Sequence, residues 1–403
     1  MKPRIRLKGF EGEWEENLLG TIATFYSGGT PTAGVSNYYN GSIPFIRSGE
    51  IHKDKTQLHI SEYGLQASSA KMVEKGTLLY AMYGATSGEV DVSRIRGAIN
   101  QAVLAIIPQN RLIEKYFLSY LLQCKKETIV GTLIQGGQGN LSADLLKNYF
   151  IKYPSLLEQK SIANYFKSLD ALIQSTTQKV SSLKQLKEAS LISMFPQGGE
   201  TTPRVRFKGF EGEWEKKQLE ACLTISCEKN TDNSFGFEDV LSVSDEFGVM
   251  NQIELLGRSY AGKSVSNYGI LKKGEIVYTK SPLKSKPYGI IKLNSKKTGI
   301  VSVLYAVYIP KDNVCAEYIH YYFSPDWRLN NYLRPLVRKG AKNTMNISDE
   351  TALKGEIMIP IKFEEQQHIA SYFNALDTQI TLQEQRLEKL KQLKSACLDQ
   401  MFV

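Results

Sequence analysis

The sequence predicts a mixed α/β (α+β) chain built twice over: two globular bodies separated by two long antiparallel coiled-coil helices, with an internal pseudo-two-fold repeat. Three observations predict it. PRIRLKGFEGEWE at residues 3–15 returns as PRVRFKGFEGEWE at 203–215, which fixes two repeat units. A helical stretch at 157–195 returns at 365–402, with Gln159, Ile162, Phe166, Leu169, Asp170, Leu186 and Met194 recurring as Gln366, Ile369, Phe373, Leu376, Asp377, Leu393 and Met401. The residues between these shared frames are unlike one another and mix strand-length apolar runs with short helical periods.

In chain order, residues 1–154 form the first body. Ala102 to Ile107 reads as a strand and Ile113 to Leu122 as a helix. The first long helix occupies 155–196. Its apolar residues step by four and three through Ile162, Phe166, Leu169, Ile173, Val180 and Leu183, interrupted by Thr176, which makes a heptad seam. Ser155 and Glu158 have the spacing of a capping box, and Pro196 through Gly199 stops the helix. The second body takes 197–360, with strand-like 300–309 and helical 316–323. The second long helix, 361–403, repeats the seam at Ile369, Phe373, Leu376, Ile380, Leu387 and Leu390 around Gln383, with Glu364 and Glu365 in its first turn. About 34 helical residues at ~1.5 Å each make a rod of ~50 Å. The two bodies share a Lys-Gly turn before a strand (Lys75-Gly76, Lys273-Gly274) and an Asn-Leu-Ser or Asn-Ile-Ser before the long helix.

Composition excludes several classes. With 42% hydrophobic and 23% charged residues, this is the make-up of a globular protein. No apolar run reaches the roughly 20 residues of a membrane helix, and the N-terminus lacks a signal-peptide core. Five scattered cysteines and four histidines offer no zinc spacing and fit reduced thiols, so the expected compartment is the cytoplasm. A net charge of +9 favours an anionic partner.

The densest basic stretch lies between Arg258 and Lys297. Lys263, Lys280, Lys284 and Lys286 are among nine lysines there, interleaved with Tyr260, Tyr268, Tyr278 and Tyr288 and opposed by one acid, Glu275. Lysines neutralise phosphates, and tyrosines bond backbone or stack on exposed bases. A solvated lysine surface over core tyrosines fits the same residues. Arg328, Arg334, Arg338, Lys339 and Lys342, followed by Asn343, form a second basic group. The first body instead offers polar, Gly-rich turns: Ser27, Gly28 and Thr30; Arg47 and Ser48; Tyr83, Thr86 and Ser87; Gln135, Gln138 and Asn140. Such side chains on loops reach base edges, and each segment equally suits an ordinary tight turn.

Residues 257–264 match the phosphate-loop spacing GxxxxGK[ST], but 265–269 lack the helical periodicity that such a loop requires after it. No Asn/Asp-Pro-Pro-aromatic methyltransferase site, metal-binding carboxylate cluster or nucleophile–histidine grouping is legible. The expectation is therefore a recogniser without catalytic residues, cofactor or metal of its own.

Two unlike bodies, each followed by a helix bearing a form of EQxxIAxYFxxLD, with a repeated GFEGEWE opening, resemble the specificity subunit of type I restriction–modification systems. In the first body SGGTP (27–31), IPFIRSGEI (43–51), GTLLYAMYGATSG (76–88), NQAV (100–103) and GNLS (139–142) look like that family's target-recognition domains. The second body lacks SGGTP and carries VLSVS at 240–244, resembling another recognition subclass. The resemblance implies that each body reads one half of a bipartite, asymmetric double-stranded DNA site, with the helices as spacer. It implies one copy of the chain carrying two modification subunits, which supply S-adenosylmethionine binding and adenine methylation, and through them restriction subunits that use ATP and Mg. A rod of ~50 Å matches about 15 base pairs at ~3.4 Å each. The competing reading is a coiled-coil scaffold joining two proteins, with incidental basic patches.

Overall fold

Neither copy of the EQ…LD segment contains Gly or Pro, and each forms one uninterrupted helix, Leu156–Ser193 and Phe363–Met401, in the computed structural model. The structure describes residues 2–134, 142–262, 264–282, 285–339 and 345–403. The first helix ends where Pro196 removes a donor, and the Gln197 amide caps its last carbonyls, reaching Ile192 O at 2.5 Å and Phe195 O at 2.7 Å. The chain divides into two units, residues 1–177 with 385–403, and residues 178–384. Each long helix therefore begins in the unit of its own body and ends in the other.

In the first unit the main sheet is antiparallel, in the order Ala23–Ser27, Val103–Pro108, Leu78–Ala81, Val90–Val92. A second sheet runs His59–Ile60, Tyr39–Ile46, Gly97–Ile99, Lys71–Val73, with Tyr39–Ile46 and Gly97–Ile99 parallel. Helix Lys115–Cys124 buries Phe117, Leu118, Leu121 and Leu122 against the main sheet's core. Strand Glu15–Leu18 pairs with Phe150–Tyr153 just before the long helix starts.

The second unit carries the same main sheet in the same order: Leu223–Ile225, Tyr305–Pro310, Ile276–Thr279, Ile290–Leu293. Its remaining strands form small pairs, among them Leu241–Ser244 with Gly248–Asn251 and Gly269–Leu271 with Gly299–Val301. The shared Lys-Gly turns are structurally equivalent, since Gly76 and Gly274 both take positive φ, +93° and +91°, where a side chain is strained. Ser142 and Ser348 each cap a short helix, their hydroxyls accepting Leu145 N and Thr351 N.

The helix motif is explained by what its polar residues hold. Glu158 does not close a capping box; the Ser155 hydroxyl lies 3.5 Å from Glu158 N, while the buried Glu158 carboxylate takes a two-pronged ion pair from Arg6 at 2.7 Å. Arg6 also donates to Gly12 O and Glu11 O, so one guanidinium shapes the GFEGEWE loop and fixes it to the helix. Arg206 does the same with Glu365, Gly212 O and Glu211 O. A charge this deeply buried demands its partner, which is why Glu365 serves as an anchor rather than a first-turn dipole residue. The adjacent Gln159 bonds Glu114 N, Leu112 O and Pro154 O; Gln366 bonds Cys315 N, Asn313 O and Pro360 O.

The sequence expectation of helix packed on helix captures half of the packing. In the first unit Ile162, Phe166 and Leu169 join the body's core together with Cys397, Met401 and Phe402 from the tail of the second helix. Phe402 stacks on Phe166 with centroids 5.7 Å apart and tilts against Phe117 at 5.3 Å. Asp170 receives Lys394 Nζ at 2.6 Å and Tyr120 OH at 2.7 Å. The second unit repeats this with Leu191, Met194 and Phe195 beside Ile369, Phe373 and Leu376, Phe195 stacked on Phe373 at 6.0 Å, and Asp377 receiving Lys187 Nζ at 2.5 Å and Tyr321 OH at 3.0 Å. The last lysine of each KQLK thus meets the aspartate of the other repeat, antiparallel within each unit.

Candidate nucleic-acid interface

Two polar turns of the first body converge. The turn Ser48–Glu50 packs beside the turn Gly84–Thr86. With Lys53, Gln57 and Asn100, residues Arg47 through Glu50 line a cleft of about 430 Å³. Glu50, 4% exposed, organises it: its carboxylate takes Arg47 Nε at 2.9 Å and Gln57 N at 2.9 Å, while Arg47 Nη2 donates to Gln57 Oε1 at 2.9 Å. Arg47 is thereby held by two partners with its guanidinium still part-exposed, a preorganised donor for an anion or a base edge. The arginine keeps Glu50 ionised; burial opposes this, yet the bonds from Arg47 and Gln57 leave the carboxyl below its ordinary pKa.

Ser27 ends the strand Ala23–Ser27, and Thr30 Oγ1 donates to Gln101 Oε1 at 2.6 Å. Gly28 has a packing reason of its own, since a Cβ there would sit 1.8 Å from Ile99 O; at Gly29 it would sit 2.6 Å from Ser69 Cβ. Tyr83 leans on the main core, and Ser87 Oγ donates to Met82 O. Gln135, Gln138 and Asn140 lie outside the described residues.

Sequence inspection missed His52, two residues beyond Glu50. Its Nε2 lies 2.8 Å from Glu89 Oε2 and its Nδ1 3.1 Å from Asp91 Oδ2. The bond to Asp91, opposed by partial burial and reinforced by Glu89, raises the imidazole pKa above its ordinary value. Lys126 at 3.7 Å from Glu89 and Arg94 at 3.6 Å from Asp91 complete the cluster. A raised histidine pKa contributes stability that is full below about pH 6.5 and is lost as pH climbs through the folded value. His52→Gln is therefore expected to flatten the loss of first-unit stability above pH 6.5, measured by denaturant titration at pH 6 and pH 8.

In the second body the residues of the basic stretch divide into two kinds. Arg258 and Tyr260 are exposed, the guanidinium 4.5 Å from the ring centroid, and Gln252 Oε1 fixes Tyr260 N at 2.6 Å. Lys280, by contrast, is ion-paired with Asp349. Lys286 is 3% exposed, bonded to Asp245 and 3.0 Å from Asp326, with Lys292 3.2 Å from the same Asp245. Burial opposes the ionisation of Asp245, but its two lysines pull the pKa below the ordinary carboxylate value. Lys286 thus pins its loop in this chain. Tyr278 is core, its hydroxyl bonded to Tyr288 O at 2.8 Å.

Arg328, counted with the basic surface from sequence, is a buried residue. Its Nη2 donates to Leu191 O at 3.0 Å and its guanidinium lies 4.8 Å from the Phe195 ring, so it secures the inserted helix tail. The signal was available: a helix ending in Met-Phe needs a donor for its last carbonyls. Arg338 is exposed on strand Arg338–Lys339. The side chain of Lys339, and Lys263, Lys284, Lys342 and Asn343 entirely, lie outside the described residues. Ser264 to Tyr268 form coil and turn before strand Gly269–Leu271, so no helix follows the GxxxxGK[ST] match. Among the described residues no group of three or more His, Cys, Asp and Glu could hold a metal, and no helix is long and apolar enough to cross a membrane.

Known proteins share this architecture. The specificity subunit of the type I restriction enzyme EcoR124I/EcoR124II from Escherichia coli is 26% identical over 176 residues, 42% of this chain and 44% of that protein. The MjaIX specificity subunit from Methanocaldococcus jannaschii is 27% identical over 182 residues, 43% of this chain and 42% of its own length. These matches span less than half the length of either relative. The crystal structure of a type I restriction-modification S subunit from M. genitalium superposes with a TM-score of 0.62 at 13% identity, covering 100% of this chain and 99% of that one, a likeness of fold. The type I restriction modification DNA specificity domain matches residues 11–185 and 249–392, and the chain belongs to that family.

Proposed function

We propose that this chain is the specificity subunit of a type I restriction–modification complex, reading a bipartite, asymmetric DNA target with one half-site per body and carrying two modification subunits, and through them restriction subunits. The observation that carries this reading is the pairing of equal frames with unequal bodies: the Arg–Glu, Gln and Asp–Lys anchors recur residue for residue, while the surfaces they hold differ. Equal frames suit two copies of one partner; unequal surfaces suit two half-sites.

In the first body Arg47, held by Glu50 and Gln57, would meet a phosphate or base edge from the cleft, Ser48, Thr30, Ser27, Tyr83, Thr86 and Ser87 would add polar contacts, and Gln135, Gln138 and Asn140 would read the same half-site. In the second, Arg258, Tyr260 and Arg338 would supply phosphate and stacking contacts together with Lys263, Lys284, Lys339, Lys342 and Asn343. Lys280 and Lys286 would act by holding their loops. The chain would contribute no catalytic group; S-adenosylmethionine, ATP and Mg belong to the partners, and the flipped adenine to the modification subunit. The setting would be the cytoplasm, with one copy per complex.

The long helices would set the spacing between half-sites. The test is methylome sequencing of the host with the native chain, without it, and with seven residues added at matching points of both helices. Two added turns preserve the seam and lengthen each helix by ~10.5 Å, about three base pairs. The expected result is methylation that depends on the chain, with the unread spacer about three base pairs longer and both half-sites intact. Altered half-sites would refute the spacing role; chain-independent methylation would refute the specificity role.

A further inference from the structure

Arg47 and Asn100 follow the two parallel strands Tyr39–Ile46 and Gly97–Ile99, so both leave the sheet at one edge and line the same cleft. Of the five N–H groups of a guanidinium, Arg47 has two committed, Nε to Glu50 and one on Nη2 to Gln57. Nη1 meets no acceptor among the described residues, and the side chain is 38% exposed. Nη1 and the second Nη2 hydrogen therefore remain as an open fork on a guanidinium that is already held in place. The carboxylate and amide oxygens around it are engaged: Glu50 with Arg47 and Gln57 N, Gln57 Oε1 with Arg47, and Asn100 Oδ1 with Ala102 N at 3.1 Å. The cleft thus presents donors to a ligand that must bring acceptors. Of the four bases, only guanine places two acceptors, O6 and N7, side by side in the major groove.

We propose that Arg47 is a specificity-determining residue, reading one guanine of the first body's half-site through O6 and N7, with Glu50 and Gln57 as its positioning residues. This rests on the reading of a bipartite DNA target proposed above. Two observations favour a base over a phosphate. The first is charge. Buried Glu50 already neutralises Arg47, so the pair adds little to the counterion release that drives phosphate binding, yet it keeps directional N–H groups. The second is the equivalent position of the other body. Phe45 pairs with Ala98 and Val240 with Ile300, both in parallel. A Cβ at Gly97 would sit 2.6 Å from Pro44 O, and one at Gly299 would sit 2.5 Å from Asp239 O. The two registers agree, and three residues beyond Pro44 and Asp239 stand Arg47 and Ser242. Ser242 is buried and its hydroxyl accepts Gln252 Nε2 at 3.0 Å, while Gln252 Oε1 fixes the backbone of exposed Tyr260. One position in a shared topology therefore carries an arginine fork in one body and a serine–glutamine bond in the other. Phosphates are the same in every sequence and give no reason for that difference; unlike half-sites do.

The test uses the full chain assembled with the modification subunits of its host, and duplexes of the methylated target in which each guanine in turn is replaced by 7-deazaguanine, which lacks the N7 acceptor. Two variants accompany the native chain. Arg47→Lys keeps a cation on Glu50 and loses the fork; Arg47→Gln with Glu50→Gln removes the buried charge together with its partner. For the native chain, the expected result is one guanine, in one half-site, whose replacement weakens binding by roughly tenfold. Both variants are expected to bind that pair of duplexes equally, with native discrimination in the other half-site and an unchanged dependence on salt. A native chain indifferent to every replacement would overturn the proposal whatever the variants do. Variants that keep the native penalty at every guanine would overturn it too, leaving the specificity reading standing. Weakening that is uniform across sequences, with a salt slope lower by about one, would assign Arg47 to a phosphate and likewise overturn it. A native assembly with no sequence preference at all would overturn both readings.

Discussion

Phe195→Ala is expected to lower the unfolding transition of the second unit by roughly 10 °C. The ring is fully buried and meets Trp214, Tyr318, Tyr322 and Phe373 within 6.2 Å, with the Arg328 guanidinium 4.8 Å away. Truncating such a phenylalanine costs about 3–5 kcal/mol, from lost transfer energy and the cavity left behind. In a unit of this size each kcal/mol moves the midpoint by about 2–4 °C. The mirror change, Phe402→Ala, removes the ring between Phe117 and Phe166 and should act on the first unit. Hydrogen-exchange mass spectrometry locates the effect. Loss of protection by Phe195→Ala centred on strands Ile276–Thr279 and Tyr305–Pro310, although the residue follows the first body in sequence, is the signature of tail insertion. Loss centred on residues 17–150 would contradict it.

Arg206→Ala is expected to cost a further unit-scale destabilisation of about 3–5 kcal/mol, because it strands the Glu365 carboxylate in the interior. Glu365 is 1% exposed, and without Arg206 it retains the Trp214 Nε1 donor at 3.3 Å. Adding Glu365→Gln to the same chain should recover part of the loss by removing the stranded charge. Chemical denaturation of the two variants checks this; equal stability of single and double variants would mean that the carboxylate reaches water or another partner.

The repeat, the helix pair and the Lys-Gly turns were legible because each depends on local pattern: heptad spacing, a Pro-Gly stop, a glycine needed at positive φ. The equivalence of the two main sheets was not legible, since the bodies keep strand order while changing most side chains on it, with Thr24/Thr224, Tyr80/Tyr278, Ile107/Ile309 and Pro108/Pro310 the identical pairs among the three best-matched strands. The exchange of helix tails was hidden for another reason. Leu191, Met194 and Phe195 look like the frayed end of a seam, and their partners Tyr318, Tyr322 and Arg328 lie more than a hundred residues later. Basic residues were the least readable from sequence. The acids that neutralise Lys286, Asp245 and Asp326, lie 41 and 40 residues away along the chain, so a run of lysines looked uniformly exposed. In the first body the reverse holds: the IRSGE turn stood out as polar, and the structure adds why Arg47 is held ready, through Glu50 and Gln57.

The most direct test of the account exchanges residues 17–150 for the corresponding body of another specificity subunit, keeping the frame residues Arg6, Trp14, Glu158, Gln159 and Asp170, and reads the host methylome. The account predicts a bipartite target in which one half-site is replaced while the other half-site and the spacer are unchanged. A target changed in both halves would contradict it.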